Sequence, residues 1–239
     1  MSREIRTVED PAEAAAERIA EVVRGGGGHI ALAGGSTPRR SYEQLADMGL
    51  NWNATDLWLG DERCVPPDHE HSNFRMVQEA LVDRVPDENH PGAFHRIQGE
   101  LGPHPGADAY EQEMRVSSLG REAPVAVFDL VLLGIGPDAH TASLFPNDPA
   151  LGERERWAVG VETPGMAPLM SRVTLTLPVL NAAREVLFLI SGADKADAVA
   201  RAFGDAPDPS APASLVRPER GALTVLLDEP AAARLPAAG

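Results

Sequence analysis

The stretch FDLVLLGIGPDAHTASLFP, residues 128–146, decides how the rest of the chain is read. Apart from Asp129, residues 128–133 are apolar, the pattern of a strand covered on both faces. The run breaks at Gly134 and Gly136 into Pro137 and Asp138, which predicts a helix over 138–145 with His140 in its first turn. VLFLISG at 186–192 repeats the pattern. Working outward, strands are expected at 29–33, 56–60, 128–135, 172–177, 186–191 and 223–228. Between them lie helices: one opened by Asp10 and Pro11 and ended by Gly25 to Gly28, then 38–48, 73–83, 107–119, 138–145, 178–184, 193–203 and 230–235. Strand–helix alternation with continuously apolar strands means an α/β fold, a mostly parallel sheet with helices on both faces. The Pro/Gly-rich stretches at 99–106 and 204–213 read as surface loops, so residues 1–239 are expected to form a single domain.

Composition narrows the class of function. The 239 residues are 43% hydrophobic and 24% charged, which excludes a disordered or fibrous chain. Twenty-one Lys and Arg face 36 Asp and Glu, a formal charge of −15 that repels phosphate backbones and anionic lipid. Nucleic acid and membrane are therefore excluded as partners, and an anionic small molecule would need a local cluster of cations and backbone N–H groups. The single cysteine, Cys64, forms no internal disulfide and belongs to no zinc-ligand spacing. With no signal-peptide core and no apolar run long enough to span a bilayer, a cytoplasmic location is expected.

Sites on parallel sheets lie beyond the carboxyl ends of the strands. That rule selects GGSTP (34–38), GDERC (60–64), GIGPDAH (134–140) and SGADK (191–195). In the first, Gly35, Ser36 and Thr37 precede a helix whose N-terminal N–H groups suit a phosphate, although Thr37 as a plain cap reads equally well. In the second, Asp61 and Glu62 read as a scaffold that aims Arg63. His69 and His71 nearby do not make a convincing metal set. In the third, His140 is either a buried structural histidine or a neutral general base, and its place past a strand end favours the base. Arg172 at a strand start and Lys195, the only lysine of the chain, are surface charges unless the strand order brings them beside GGSTP.

Together LAGGSTPRRSY (32–42), GDERCVPPDHEHSN (60–73), residues 128–146, RVTLTLPVLNAAREVLFLISGADK (172–195) and ASLVRP (213–218) resemble the 6-phosphogluconolactonase family. The resemblance implies a Rossmann-like α/β fold shared with glucosamine-6-phosphate deaminase. It implies cofactor-free, metal-free hydrolysis of 6-phospho-D-glucono-1,5-lactone in the oxidative pentose phosphate pathway. His140 would be the base, with Asp138 tuning it; Gly35, Ser36, Thr37, Arg172 and Lys195 would bind the phosphate, and Arg63 would lie near the substrate. The family's usual Gly-Pro-Asp-Gly-His has Ala139 at its fourth place here, harmless if that residue is helical. HTASLFP in place of a tail such as HIAFNEP sets the chain apart from the related amino-sugar-phosphate deaminases. An intact His140 sets it apart from non-catalytic sugar-phosphate sensors.

Overall fold

The computed structural model describes residues 2–119, 124–204 and 206–235. In chain order its elements are β1 (Ser2–Thr7), α1 (Pro11–Arg24), β2 (Gly28–Leu32), α2 (Ser36–Asp47), β3 (Thr55–Leu59), β4 (Asp61–Arg63), α3 (Asn73–Ala80), β5 (Ala93–Phe94) and α4 (Pro103–Val116). Then follow β6 (Leu130–Leu133), β7 (Ala158–Val161), β8 (Arg172–Leu175), α5 (Leu177–Ala182), β9 (Glu185–Ile190), α6 (Ala196–Ala202), β10 (Ala222–Leu227) and α7 (Glu229–Ala232). Seven strands form one sheet in the order β1-β10-β9-β6-β2-β3-β5, every pairing parallel. Every residue of β6 and β9 is buried, as strands covered on both faces must be.

The chain order reverses between β2 and β6. From β2 it steps outward to β3 and β5; from β6 it steps the other way to β9 and β10. That reversal opens a crevice at the carboxyl edge, where the loops after β2 and β6 part.

A second sheet, antiparallel in the order β4-β8-β7, sits past the end of β3. Only Gly60 separates β3 from β4, and its carbonyl accepts from the Leu175 N–H at 2.9 Å. The expected strand at 172–177 therefore belongs to this small sheet, not to the main one. Pairing of β4 with β8 sets Arg63 opposite Arg172.

Several sequence expectations are corrected. No helix spans 138–145; that segment is a chain of tight turns, with Ala139 at φ +68° and Ala142 at φ +47°. The loop expected at 99–106 is a short 3-10 turn at Gly99–Leu101 followed directly by α4, which Gly102 precedes and Pro103 opens. β1, β4, β5 and β7 lie outside the expected strands: β1 is mostly polar, and the other three are two to four residues long. The opening of α1 follows expectation: Asp10 accepts from the N–H groups of Ala12 and Glu13. No helix among the described residues is long and apolar enough to cross a membrane.

Two tyrosines hold the carboxyl ends of the central strands. The fully buried Tyr42 hydroxyl accepts from Ala33 N–H at 3.0 Å and donates to Ala33 C=O at 2.8 Å. Tyr110 does the same for Leu59, at 3.0 and 2.8 Å. Burial pushes both phenols far above their ordinary value, outweighing the backbone hydrogen bonds, so each remains a donor. Tyr42→Phe strands two backbone groups without opening a cavity, and the denaturant midpoint should fall by the equivalent of about 1–3 kcal/mol.

Candidate active site

A cleft of about 240 Å³ lies at the β2/β6 reversal. Its wall takes residues from all four strand exits: Gly34 and Gly35 after β2; Gly60, Asp61 and Arg63 after β3; Gly134 to Pro137 and His140 after β6; and Lys195 after β9. Arg172 enters from the small sheet, Asn73 from α3 and Met166 from the segment joining β7 to β8. The two sheets thus bring together His140, Arg63, Arg172, Lys195 and Gly35. Ser36 and Thr37 stand outside the lining, in the first turn of α2, where Ser36 is exposed. Thr37 is not a cap. Gly35 holds that position without a side-chain hydrogen bond, leaving the first N–H groups of α2 uncapped by any side chain beside the cleft.

His140 is oriented by its neighbours. Its Nδ1 lies 2.6 Å from Asp138 Oδ1, which also accepts the His140 backbone N–H at 3.1 Å. Burial alone would lift the Asp138 carboxyl. Hydrogen bonds from the His140 ring and backbone, with the attraction of that ring, outweigh burial and hold the carboxyl below its ordinary value. An ionised carboxylate only accepts, so Nδ1 carries a proton, and in the neutral tautomer this contact selects the lone pair is on Nε2.

Close approach sets the turn's composition. A Cβ on Gly136 would stand 2.1 Å from His140 Nδ1, so only glycine fits. Ala139, expected to be helical and unstrained, lies instead in the left-handed region and is fully buried. The turn is held from several sides. Gly136 N–H donates to His140 C=O at 2.9 Å, Thr141 Oγ1 to Gly134 C=O at 2.8 Å, and Ala213 N–H to Ala139 C=O at 3.0 Å. Ser143 Oγ donates to Asp61 Oδ2 at 2.6 Å, while its N–H donates to Thr174 Oγ1 at 3.2 Å.

The cationic side is built around a buried acid. Glu62 Oε1 accepts from the N–H groups of Arg63 (2.7 Å) and Asn73 (2.8 Å); Oε2 accepts from Ser72 Oγ (3.0 Å) and Phe74 N–H (2.8 Å). Burial pushes its carboxyl up, against the pull of those four donors. Of the expected scaffold, Glu62 holds the Arg63 backbone N–H, whereas the guanidinium donates from Nη1 to His71 C=O at 2.7 Å and its buried Nε has no partner. Arg172 is 5% exposed, donates from Nη2 to Pro168 C=O at 3.1 Å and also keeps a buried, unpartnered Nε. Burial lowers its pKa, yet a guanidinium stays charged. Its Cζ lies 5.7 Å from the Phe145 ring, whose other neighbour is His140 at 4.5 Å between centroids. Lys195 Nζ pairs with Asp194 Oδ2 at 3.2 Å. His71 N–H donates to His69 Nδ1 at 3.1 Å, and the two rings lie 5.4 Å apart between centroids.

The family of glucosamine-6-phosphate isomerases and 6-phosphogluconolactonase matches residues 3–225. The chain belongs to that family. It is 40% identical to a 6-phosphogluconolactonase of Streptomyces coelicolor, covering 94% of this chain and 90% of the relative. The 6-phosphogluconolactonase of Homo sapiens is 43% identical over 75% of this chain and 67% of its own. The solved 6-phosphogluconolactonase of Trypanosoma cruzi superposes with a TM-score of 0.85 at 31% identity, covering 98% of each chain.

Sequence reasoning missed Phe145, Asn73 and Met166, apolar or amide side chains in stretches read for their charges or not at all. The family's usual glycine at position 139 is the one signal that flagged the left-handed turn. Ala139→Gly relieves a strain of about 1–2 kcal/mol and loosens the unfolded chain by about 0.4–1 kcal/mol. Thermal unfolding should show a net rise of a few degrees with activity kept; a lower Tm would contradict the conformation described.

Proposed function

We propose that the protein hydrolyses 6-phospho-D-glucono-1,5-lactone to 6-phospho-D-gluconate, the lactonase step of the oxidative pentose phosphate pathway. The observation that carries this reading is that His140, paired through Nδ1 with Asp138, lines the same cleft as Arg63, Arg172 and Lys195. A base with a free Nε2 lone pair and three cations suit a phosphorylated electrophile attacked by water.

His140 Nε2 takes a proton from a water whose oxygen adds to the lactone carbonyl carbon. The tetrahedral adduct then collapses, the bond from that carbon to the ring oxygen breaks, and the imidazolium returns the proton to the departing oxygen. One water is consumed, and the ring opens to a carboxylic acid that ionises at neutral pH. Asp138 holds the productive tautomer and steadies the transient imidazolium. The phosphate sits among Arg172, Lys195 and the first turn of α2 with Gly35, Ser36 and Thr37, and Arg63 faces the substrate beside them. A molecule with a net charge of −15 draws a dianion only through such a local cluster.

Lactone consumption above the spontaneous rate, without ammonia release from glucosamine 6-phosphate, is the direct test. Ammonia release at a comparable rate would refute the assignment. His140→Ala should lower kcat by about 10²–10⁴, toward the lower end because the lactone is intrinsically reactive. Asp138→Asn should leave the fold intact and still reduce kcat, because an amide can stabilise the wrong tautomer. Arg172→Ala and Lys195→Ala should each reduce kcat/KM by about 10–150-fold on the phosphorylated lactone. The loss should be much smaller on an unphosphorylated gluconolactone, and equal losses on both would place the phosphate elsewhere.

A further inference from the structure

Lys195 reaches the cleft from a loop that another strand holds in place. β9 and β10 run in parallel register, Ile190 beside Leu227, and the chain leaves both strands at the next residue. One step beyond that last pair, Asp228 faces Ser191 and Gly192. Its Oδ2 accepts from Ser191 Oγ at 2.5 Å and from Gly192 N–H at 2.9 Å, and its Oδ1 accepts from Ala231 N–H at 2.8 Å. Gly192 lies at φ +104°, where an L side chain is strained, and a Cβ there would meet Asp194 Oδ1 at 2.7 Å. Its carbonyl accepts the Lys195 N–H at 3.1 Å, closing the turn that presents the lysine.

We infer that Asp228, which does not line the cleft, is a positioning residue for Lys195: through Ser191 and Gly192 it fixes the turn that aims the chain's only lysine at the anion. This rests on the proposed phosphate role of Lys195. Two features separate it from simple capping of α7. Capping needs only one acceptor for Ala231 N–H, whereas Asp228 spends its second oxygen on the lysine loop. The ionised form is also the one held: burial would raise its pKa, but the donors Ser191, Ala231 and Gly192 outweigh that and lower it. A charged acceptor makes the stronger hydrogen bond, so the glycine turn is stiffened where a flexible lysine would otherwise wander.

Asp228→Ser separates the two roles, because serine caps a helix well but has one short oxygen where Asp228 uses two. The variant should fold with a near-normal Tm, raise KM for the phosphorylated lactone by roughly 5–50-fold, and leave kcat within about twofold. Kinetics on unphosphorylated gluconolactone should not change. Because Lys195 is the only lysine, reductive ¹³C-methylation of the whole protein yields one side-chain resonance besides that of the N-terminus. Titration of the intact wild-type protein with inorganic phosphate and with 6-phosphogluconate should shift that resonance, and Asp228→Ser should weaken the response in proportion to KM. Wild-type kinetics and a phosphate response both retained in Asp228→Ser would overturn the inference alone. So would equal losses on both lactones. No response of the wild-type Lys195 resonance to either ligand would overturn the phosphate reading, and this inference with it.

Discussion

Every pairing in the main sheet is parallel, so every loop that follows one of its strands leaves from the same edge. That constraint makes the cleft possible. A parallel strand cannot return by a tight hairpin; it needs a crossover, and the residues between strand end and crossover are free to carry chemistry. Here four such exits, after β2, β3, β6 and β9, deliver an uncapped helix N-terminus, an arginine, a histidine and a lysine to one place. The tyrosine hydroxyls that satisfy Ala33 and Leu59 act where two of those strands end, so the loops begin from fixed points.

The small antiparallel sheet solves a different problem. Arg63 and Arg172 stand opposite each other across β4 and β8, a like-charge pair that costs energy. Arg63 itself depresses the pKa of Arg172, although burial does so more. The pair is tolerated because Glu62 is buried behind it and anchored by four donors, and Asp61 adds a second negative charge near Arg172. Each guanidinium also keeps a buried Nε without a hydrogen-bond partner, which costs free energy.

The turn carrying His140 stores strain of another kind. Ala139 and Ala142 adopt left-handed backbone, where L side chains pay for every degree of crowding, and glycine at 136 lets the imidazole fold back against the main chain. Contacts from Gly134, Asp61, Thr174 and Ala213 over-determine the loop, which is how a strained conformation survives. Within the same turn Asp138 Oδ1 accepts the His140 backbone N–H and lies against Nδ1.

Much of this was legible in the residues themselves. Continuous apolar runs at 130–133 and 186–190 meant buried parallel strands, because only a strand covered on both faces can be apolar throughout; Asp10 before Pro11 marked α1, because a carboxylate satisfies free N–H groups there. The strand-end rule picked out Arg63, His140 and Lys195 before their positions in space were known. What stayed hidden depends on contacts between residues far apart in the chain. Pro-Asp reads as a helix start by local preference, yet 138–145 is held in turns by hydrogen bonds to Asp61, Thr174 and Ala213, which no local window contains. The strand at Arg172 is visible, but its membership of the second sheet follows from pairing with residues more than a hundred positions earlier. Residue types and their spacing determined which groups the protein could use and on which edge of the sheet they would lie. Only the tertiary structure decided which of them meet, because strand order and cross-sheet hydrogen bonds are long-range choices that side-chain periodicity does not encode.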